Sequence, residues 1–289
     1  MIDLHTHSIY SDGTMTPIEI LKEAEKKKVN ILSITDHDSV GAYKNLEKEN
    51  ISKYYSGHLI VGAELNCIYK KARIELICYN FDYKKVDKFL SNYYSKDKVR
   101  KRKEEELSKL IKLCQKNNIK LSQNIPINDN MVLDNLYDDI IKYEENKAHF
   151  SGGKFPSKTQ FFRICIGDDT FFLYNENKSL PLAKDISNLI RESGGLVFLA
   201  HPYVYDLKDY IEFINELYDS KIIDGLECYH SNFTKEQIET LINYCQKNNL
   251  LMSGGTDFHG SKYPNIAIAT GYNNTLCVPD EITKKWLKF

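Results

Sequence analysis

The chain has no run approaching the ~18 consecutive apolar residues of a membrane-spanning helix. Two histidines interrupt its apolar start within seven residues. That pattern points away from a membrane span and a secretory leader, and the expectation is a soluble, cytoplasmic protein with no membrane partner. The seven cysteines, at 67, 78, 114, 165, 228, 245 and 277, are odd in number and form no C-x-x-C pair. They argue for buried thiols in a reducing compartment rather than a disulfide framework. Charge of one sign is also lacking, because 39 basic against 40 acidic residues leave a formal net charge of −1. No global basic field draws nucleic acid, so a stable nucleic-acid complex is not expected, although an enzyme acting on short nucleic acids stays open. Gly254-Gly255 lies outside any G-x-G-x-x-G context and reads as a strand-end turn.

At 289 residues and 42% hydrophobic composition, the chain can bury a sizeable core and suits a single α/β barrel. Thr16-Pro17-Ile18-Glu19 offers a capping box with proline at the first helical position, and Thr234 to Gln237 offers another. Leu107, Leu110, Ile111 and Cys114 mark a helix, and Ile186, Leu189 and Ile190 mark one that stops at Gly194-Gly195. Between the helical patterns lie the strand candidates NILSIT, HLIVGAE, RIELICY, GLVFLA, IDGLECY and LLMSGG. Such alternation predicts parallel strands with crossover helices. The polar stretch at ~118–182 breaks the rhythm, so 97–182 is expected as an inserted cap on a barrel of 1–96 and 183–289. The aromatics at 161–162 and 171–172 read as cap core rather than a base-stacking platform.

Nearly every strand candidate leads into the same residue types. The opening strand runs into His5 and His7, followed by Asp12 in a Ser-Asp-Gly turn. ILSIT leads to Asp36-His37-Asp38, LIVGA to Glu64, LVFLA to His201, GLECY to His230, and LMSGGT to Asp257 and His259. On a barrel of parallel strands these ends share one rim, where loops build the active site. Imidazoles and carboxylates without a thiolate suit Mn, Fe or Zn. Seven or eight such donors exceed the needs of one ion, and paired ions are a recurrent device for phosphoryl chemistry. His58 and His149 stand apart from this pattern and read as structural. Lys26 to Lys28 and Lys101 to Glu106 read as solvated helix faces.

The motifs H-x-H-x-x-x-x-D-G (His5, His7, Asp12), T-D-H-D (Asp36, His37), G-x-E (Glu64), A-H-P (His201) and D-F-H-G (Asp257, His259) together resemble the PHP family. These are the polymerase and histidinol phosphatase metallophosphoesterases. The resemblance runs from residue 1 to about 270 and implies a distorted (β/α)7 TIM-like barrel with an inserted cap. It implies that His5, His7, Glu64 and Asp257 hold one ion and that Asp12, His37 and His259 hold a second. A third ion would use Glu64, His201 and a strand histidine, whose place Glu75 takes here; a carboxylate there shifts preference toward Mn or Mg. The similar branch is the capped one that dephosphorylates nucleotides, including nucleoside 3′,5′-bisphosphates, and trims RNA 5′ ends.

The expected activity is therefore hydrolysis of phosphomonoesters, with Asp12, His37, Asp257 and His259 as the catalytic set. Arg100, Lys103 and Arg163 of the cap, with His230, are assigned to substrate. The family's cap motifs become Arg100-x-x-Lys103 and Lys154-Phe155-Pro156-Ser157, and Phe233 replaces a histidine after GLECY. A histidinol-phosphate phosphatase and a non-catalytic metal-binding regulator are the rival readings.

Overall fold

A computed structural model of the protein describes residues 1–70, 72–128, 130–161, 180–205 and 209–288. Seven strands form one sheet in chain order: β1 Ile2–Asp3, β2 Ile31–Ile34, β3 His58–Tyr69, β4 Ala72–Tyr79, β5 Leu196–Leu199, β6 Gly225–Tyr229 and β7 Leu251–Gly254. Each expected strand is present in this α/β fold. The pairs β1–β2, β2–β3, β5–β6 and β6–β7 are parallel, whereas β4 is antiparallel to both its neighbours.

This reversed strand corrects the all-parallel expectation. Only two residues separate β3 from β4, with Lys70 in the left-handed region at φ 53°. A parallel connection needs about a dozen or more. The reversal brings the N-terminal half of β4 to the rim where the other six strands end. There Glu75 pairs in register with Asn66, and its carbonyl accepts from Ala200 N at 3.0 Å.

The end strands β1 and β7 share no ladder, but their C-terminal extensions are joined by backbone hydrogen bonds. Leu4 N donates to Gly254 O at 3.2 Å, Asp257 N to His5 O at 2.9 Å, and His7 N to Phe258 O at 2.8 Å. Thr6 and Phe258 form an isolated parallel bridge, as do His37 and Glu64. His5, His7, His37 and Asp257 thus sit on short backbone couplings just past strand ends, whereas Glu64 lies inside β3 and Glu75 inside β4.

Helices cross between strands where the caps direct them. In helix Pro17–Lys26, Thr16 Oγ1 accepts from Glu19 N at 3.3 Å while Glu19 Oε2 accepts from Thr16 N at 2.7 Å. Thr234 and Gln237 repeat this exchange before helix Lys235–Asn248. Ile2, Leu4, Ile31, Ile77, Tyr79, Phe198 and Val278 bury one core, each side chain stabilising the fold by about 1.5–3 kcal/mol. Trp286 stacks on Tyr79 with ring centroids 5.3 Å apart and donates to Met252 O at 2.9 Å, tying the C-terminal segment to that core.

Residues 1–90 and 181–289 form one compact unit and 91–180 a second. Within the second, helices Lys96–Lys116 and Val132–Ile140 pack through Leu107, Leu110, Cys114, Leu133, Leu136 and Ile140, with Phe150 and Phe161 against them. Phe161 is therefore core, as its sequence context predicts; residues 162, 171 and 172 lie outside the described residues. No described helix is long and apolar enough to cross a membrane.

Candidate metal centre

His5 Nε2 stands 3.0 Å from His7 Nε2, in a buried position where two ring nitrogens face each other. Both nitrogens also face the same two carboxylates. His5 lies 3.3 Å from Glu64 Oε2 and from Asp257 Oδ1, and His7 lies 3.4 Å and 3.1 Å from those oxygens. Donors held about 2.1 Å from one ion are separated by roughly 3.0–3.4 Å in octahedral or tetrahedral geometry. The observed edges match that spacing. The donor set fits a divalent metal.

A second group comprises His7, Asp12, His37 and His259. Asp12 Oδ1 lies 3.1 Å from His259 Nε2, and 3.8 Å from both His37 Nε2 and His7 Nδ1. A neutral imidazole offers one lone pair, so His7 can serve one group and leaves Asp12, His37 and His259 as the second. On the far side of Glu64, Oε1 lies 2.8 Å from His201 Nε2, which is 3.5 Å from Glu75 Oε2. Glu64 and Glu75 also form a donor group with His37. His37 Nδ1 lies 3.1 Å from Glu64 Oε2 and is buried without hydrogen-bond geometry, so the single lone pair of His37 serves either this group or the Asp12 group, not both.

Glu75 faces the cluster. Its backbone is clamped by the Tyr205 hydroxyl, which accepts from Glu75 N at 3.0 Å and lies 3.3 Å from Glu75 O. Arg73 is engaged elsewhere, donating to Asn66 Oδ1 at 2.8 and 3.2 Å, and residue 71 lies outside the described residues.

The electrostatics are those of a strongly coupled acid–imidazole network. Burial opposes charge on His5, but Glu227, Glu64 and Asp257 together raise its pKa well above the imidazole range. Glu64 is likewise penalised by burial, yet His5 and His201 bring it well below the carboxylate range. Burial and the nearby Glu64 charge push Glu75 up, as for a carboxyl group short of cationic partners.

His230, expected on the substrate side, lies in the cluster itself, with Nε2 3.3 Å from Asp257 Oδ2 and grouped with His5. Of the other cations expected to meet substrate, Arg100 is exposed and pairs with Glu104 at 2.9 Å. Lys103 Nζ donates to Asn128 O and Asn130 O at 2.7 and 2.9 Å. Arg163 lies outside the described residues.

Two supporting carboxylates, Glu227 and Asp3, escape a search for strand-end donors, and a third, Asp36, is found by it as a donor type but serves as a support. Glu227, inside β6, accepts from His5 Nδ1 at 2.8 Å and from His201 N at 2.7 Å. Asp3, inside β1, accepts from Thr256 N and Oγ1 at 2.9 and 2.6 Å and from Ala269 N at 2.8 Å. Asp36 accepts from Ser8 N, Ser8 Oγ and Ser11 Oγ at 2.6–2.7 Å, shaping the loop that carries Asp12. An ionisable residue flanked by apolar neighbours within a buried strand, as in Ile2-Asp3-Leu4 and Leu226-Glu227-Cys228, is the signal that marks the first two. Backbone geometry adds to this support. Asp257 (φ 56°) and His201 (φ 23°) hold positive φ, a conformation that costs of order 1–3 kcal/mol and concentrates at functional sites.

A 5′-3′ exoribonuclease of Haemophilus influenzae is 27% identical over 299 residues, covering 99% of this chain and 98% of that protein. A 3′,5′-nucleoside bisphosphate phosphatase of Chromobacterium violaceum is 48% identical over 40 residues, 14% of each chain. An amidohydrolase structure from Chromobacterium violaceum with bound sulfate shares the fold, with a TM-score of 0.58 at 20% identity over 92% of this chain and 89% of that one. Residues 3–193 match the PHP domain, a span that carries six of the cluster's donors (His5, His7, Asp12, His37, Glu64 and Glu75) and ends before β5. The chain belongs to the PHP domain family.

Proposed function

We propose that the protein is a metal-dependent phosphoesterase that hydrolyses phosphomonoesters of nucleotides, nucleoside 3′,5′-bisphosphates included, or acts at the 5′ ends of short RNA. The observation that carries this is the convergence of His5, His7, Glu64 and Asp257 at 3.0–3.4 Å, with a second donor set beside it. His5, His7, Glu64 and Asp257 would hold one ion, and Asp12, His37 and His259 another. Glu64, Glu75 and His201 offer a third site, and His230 extends the first through Asp257. Mn, Fe or Zn suits the imidazole-rich sets, and Mg is admitted where carboxylates dominate. Such ions supply charge neutralisation and an activated water when bound.

The chain's own residues do the rest. Glu64 and Asp257 keep their carboxylates ionised against burial by pairing with imidazoles. His259, whose pKa burial and the neighbouring His7 lower, stays neutral, and with Nδ1 donating to Asp257 O its Nε2 lone pair is the donor presented beside Asp12. Segment 97–182 would act as the cap that selects substrate, with the exposed Arg100 gripping a second phosphate bidentately and Lys103 holding the carbonyls of Asn128 and Asn130.

The relatives named as an exoribonuclease and a bisphosphate phosphatase support the nucleotide class. A panel of nucleoside bisphosphates, mononucleotides, short 5′-phosphorylated RNA and histidinol phosphate, assayed with Mn, Fe, Zn and Mg, tests it. Turnover of histidinol phosphate above all nucleotides, or none of any phosphoester with any metal, would overturn the assignment.

A further inference from the structure

Exposure around the cluster is lopsided. His5, His7 and Glu64 are at or near zero, whereas the Asp12, His37 and Asp257 side chains are 39%, 29% and 24% exposed. Glu75 on the His201 side is 21% exposed, so the edge at Asp12 and His37 is the most open one for a substrate. Lys262 stands at that edge, its Nζ 2.5 Å from Asp12 Oδ2, the oxygen turned away from the imidazoles.

The lysine is placed there by a built segment. Ser261 N donates to Thr14 Oγ1 at 2.8 Å, and Thr14 N donates to His259 O at 3.1 Å. Gly260 between them has φ 70°, and a Cβ on it would lie 2.2 Å from Thr14 Oγ1. The Tyr263 ring stands edge-on to His259 at 5.1 Å, and Lys262 Nζ lies 5.4 Å from its centroid. An ordinary surface ion pair has no such scaffold and contributes little. Here the cation is held within a few ångströms of a donor cluster and still meets solvent, with a 37% exposed side chain.

We propose that Lys262 is a substrate-binding residue, its ammonium donating to a nonbridging oxygen of the scissile phosphate at the open edge while Asp12 Oδ2 orients it. This rests on the phosphoesterase function proposed above and adds to it a specificity determinant on the barrel side rather than on the cap. A flexible ammonium has three donors, so it can keep Asp12 and still offer two to phosphate.

The test compares Lys262→Met and Lys262→Arg with the wild type, all metal-loaded. Three quantities are read: KM for an aryl phosphate, the inhibition constant of inorganic phosphate, and bound metal by elemental analysis. A lost charge-assisted hydrogen bond predicts that K262M raises both constants about tenfold to a hundredfold, with metal content unchanged and with K262R largely restoring them. Unchanged phosphate inhibition in K262M overturns the proposal. So does a loss of metal with phosphate affinity intact in the remaining loaded fraction, which would make Lys262 a buttress of Asp12. A wild type that neither hydrolyses aryl phosphate nor binds inorganic phosphate by calorimetry would instead bring down the phosphoesterase function itself.

Discussion

His5 Nδ1 stands 2.8 Å from Glu227 Oε1, and this contact decides which nitrogen of the imidazole looks into the donor cluster. With Nδ1–H donated to Glu227, the lone pair sits on Nε2, the atom that faces His7, Glu64 and Asp257. The other Glu227 oxygen holds the backbone of His201, so one buried carboxylate orients two members of the centre.

Glu227→Gln should therefore weaken metal binding without unfolding the protein. An amide has one acceptor oxygen for two donors, so either His5 Nδ1–H or His201 N–H is left facing an NH2 group. Loss of such a supporting partner typically costs 10–100-fold in metal affinity. Competition with a chelator of known affinity measures it, and an unaltered affinity would refute the role assigned to Glu227.

His37→Ala and Asp257→Asn should each cut phosphoesterase turnover by orders of magnitude while the melting transition survives. Asparagine is the better probe at 257, because it tolerates φ 56° while removing the charge. Exhaustive chelation should abolish activity, and re-addition of metal should restore it to wild type only. Activity that persists after chelation contradicts the metal-dependent assignment.

Glu75→His tests the third site. With the carboxylate 3.5 Å from His201 Nε2, exchange for a softer nitrogen donor should shift the activating-metal profile from Mn or Mg toward Zn and change the bound stoichiometry. An identical metal content and profile would place Glu75 outside the metal shell.

Loading should release protons. Burial lowers the affinity of His201 for a proton, but Glu64 and Glu227 outweigh it and push the pKa up to about 9; His5 is raised as well, by Glu227, Glu64 and Asp257 against its burial. Ions must displace those protons, so apparent metal affinity should climb as pH rises toward about 9. The linked effect on stability has the opposite sign. For raised histidines the ion-free contribution is complete below the unfolded value of about 6.5 and lost as pH rises through about 9. Chelated protein should melt lower at pH 9.5 than at pH 7. Calorimetry in two buffers of different ionisation enthalpy reads the release, and no buffer dependence at pH 7.5 would contradict it.

Gly255→Ala should disturb the same centre from beneath. A Cβ there would sit 2.3 Å from His5 N and 2.5 Å from His5 Cβ. The strain should cost about 1–3 kcal/mol in denaturant unfolding and reduce metal content. A variant with wild-type stability and wild-type loading would refute the close packing of β1 on Gly255.

The sequence by itself determined the donor types, their order along the chain and their place after strands, because apolar runs ending in His, Asp or Glu are local patterns. The capping boxes at Thr16 and Thr234 were equally local, and both formed. Tertiary structure alone decided the rest. The reversal of β4 depends on a two-residue connection competing against a crossover, and it is what turns Glu75 toward His201. Whether His230 joins the cluster depends on a side-chain direction just past β6, where strand periodicity has lapsed. The supporting roles of Glu227, Asp3 and Asp36 depend on partners at His5, Thr256 and Ser8, some of them more than two hundred residues distant. A buried carboxylate shows in the sequence only as an oddity in a strand; the partner that makes it stable is supplied by the fold.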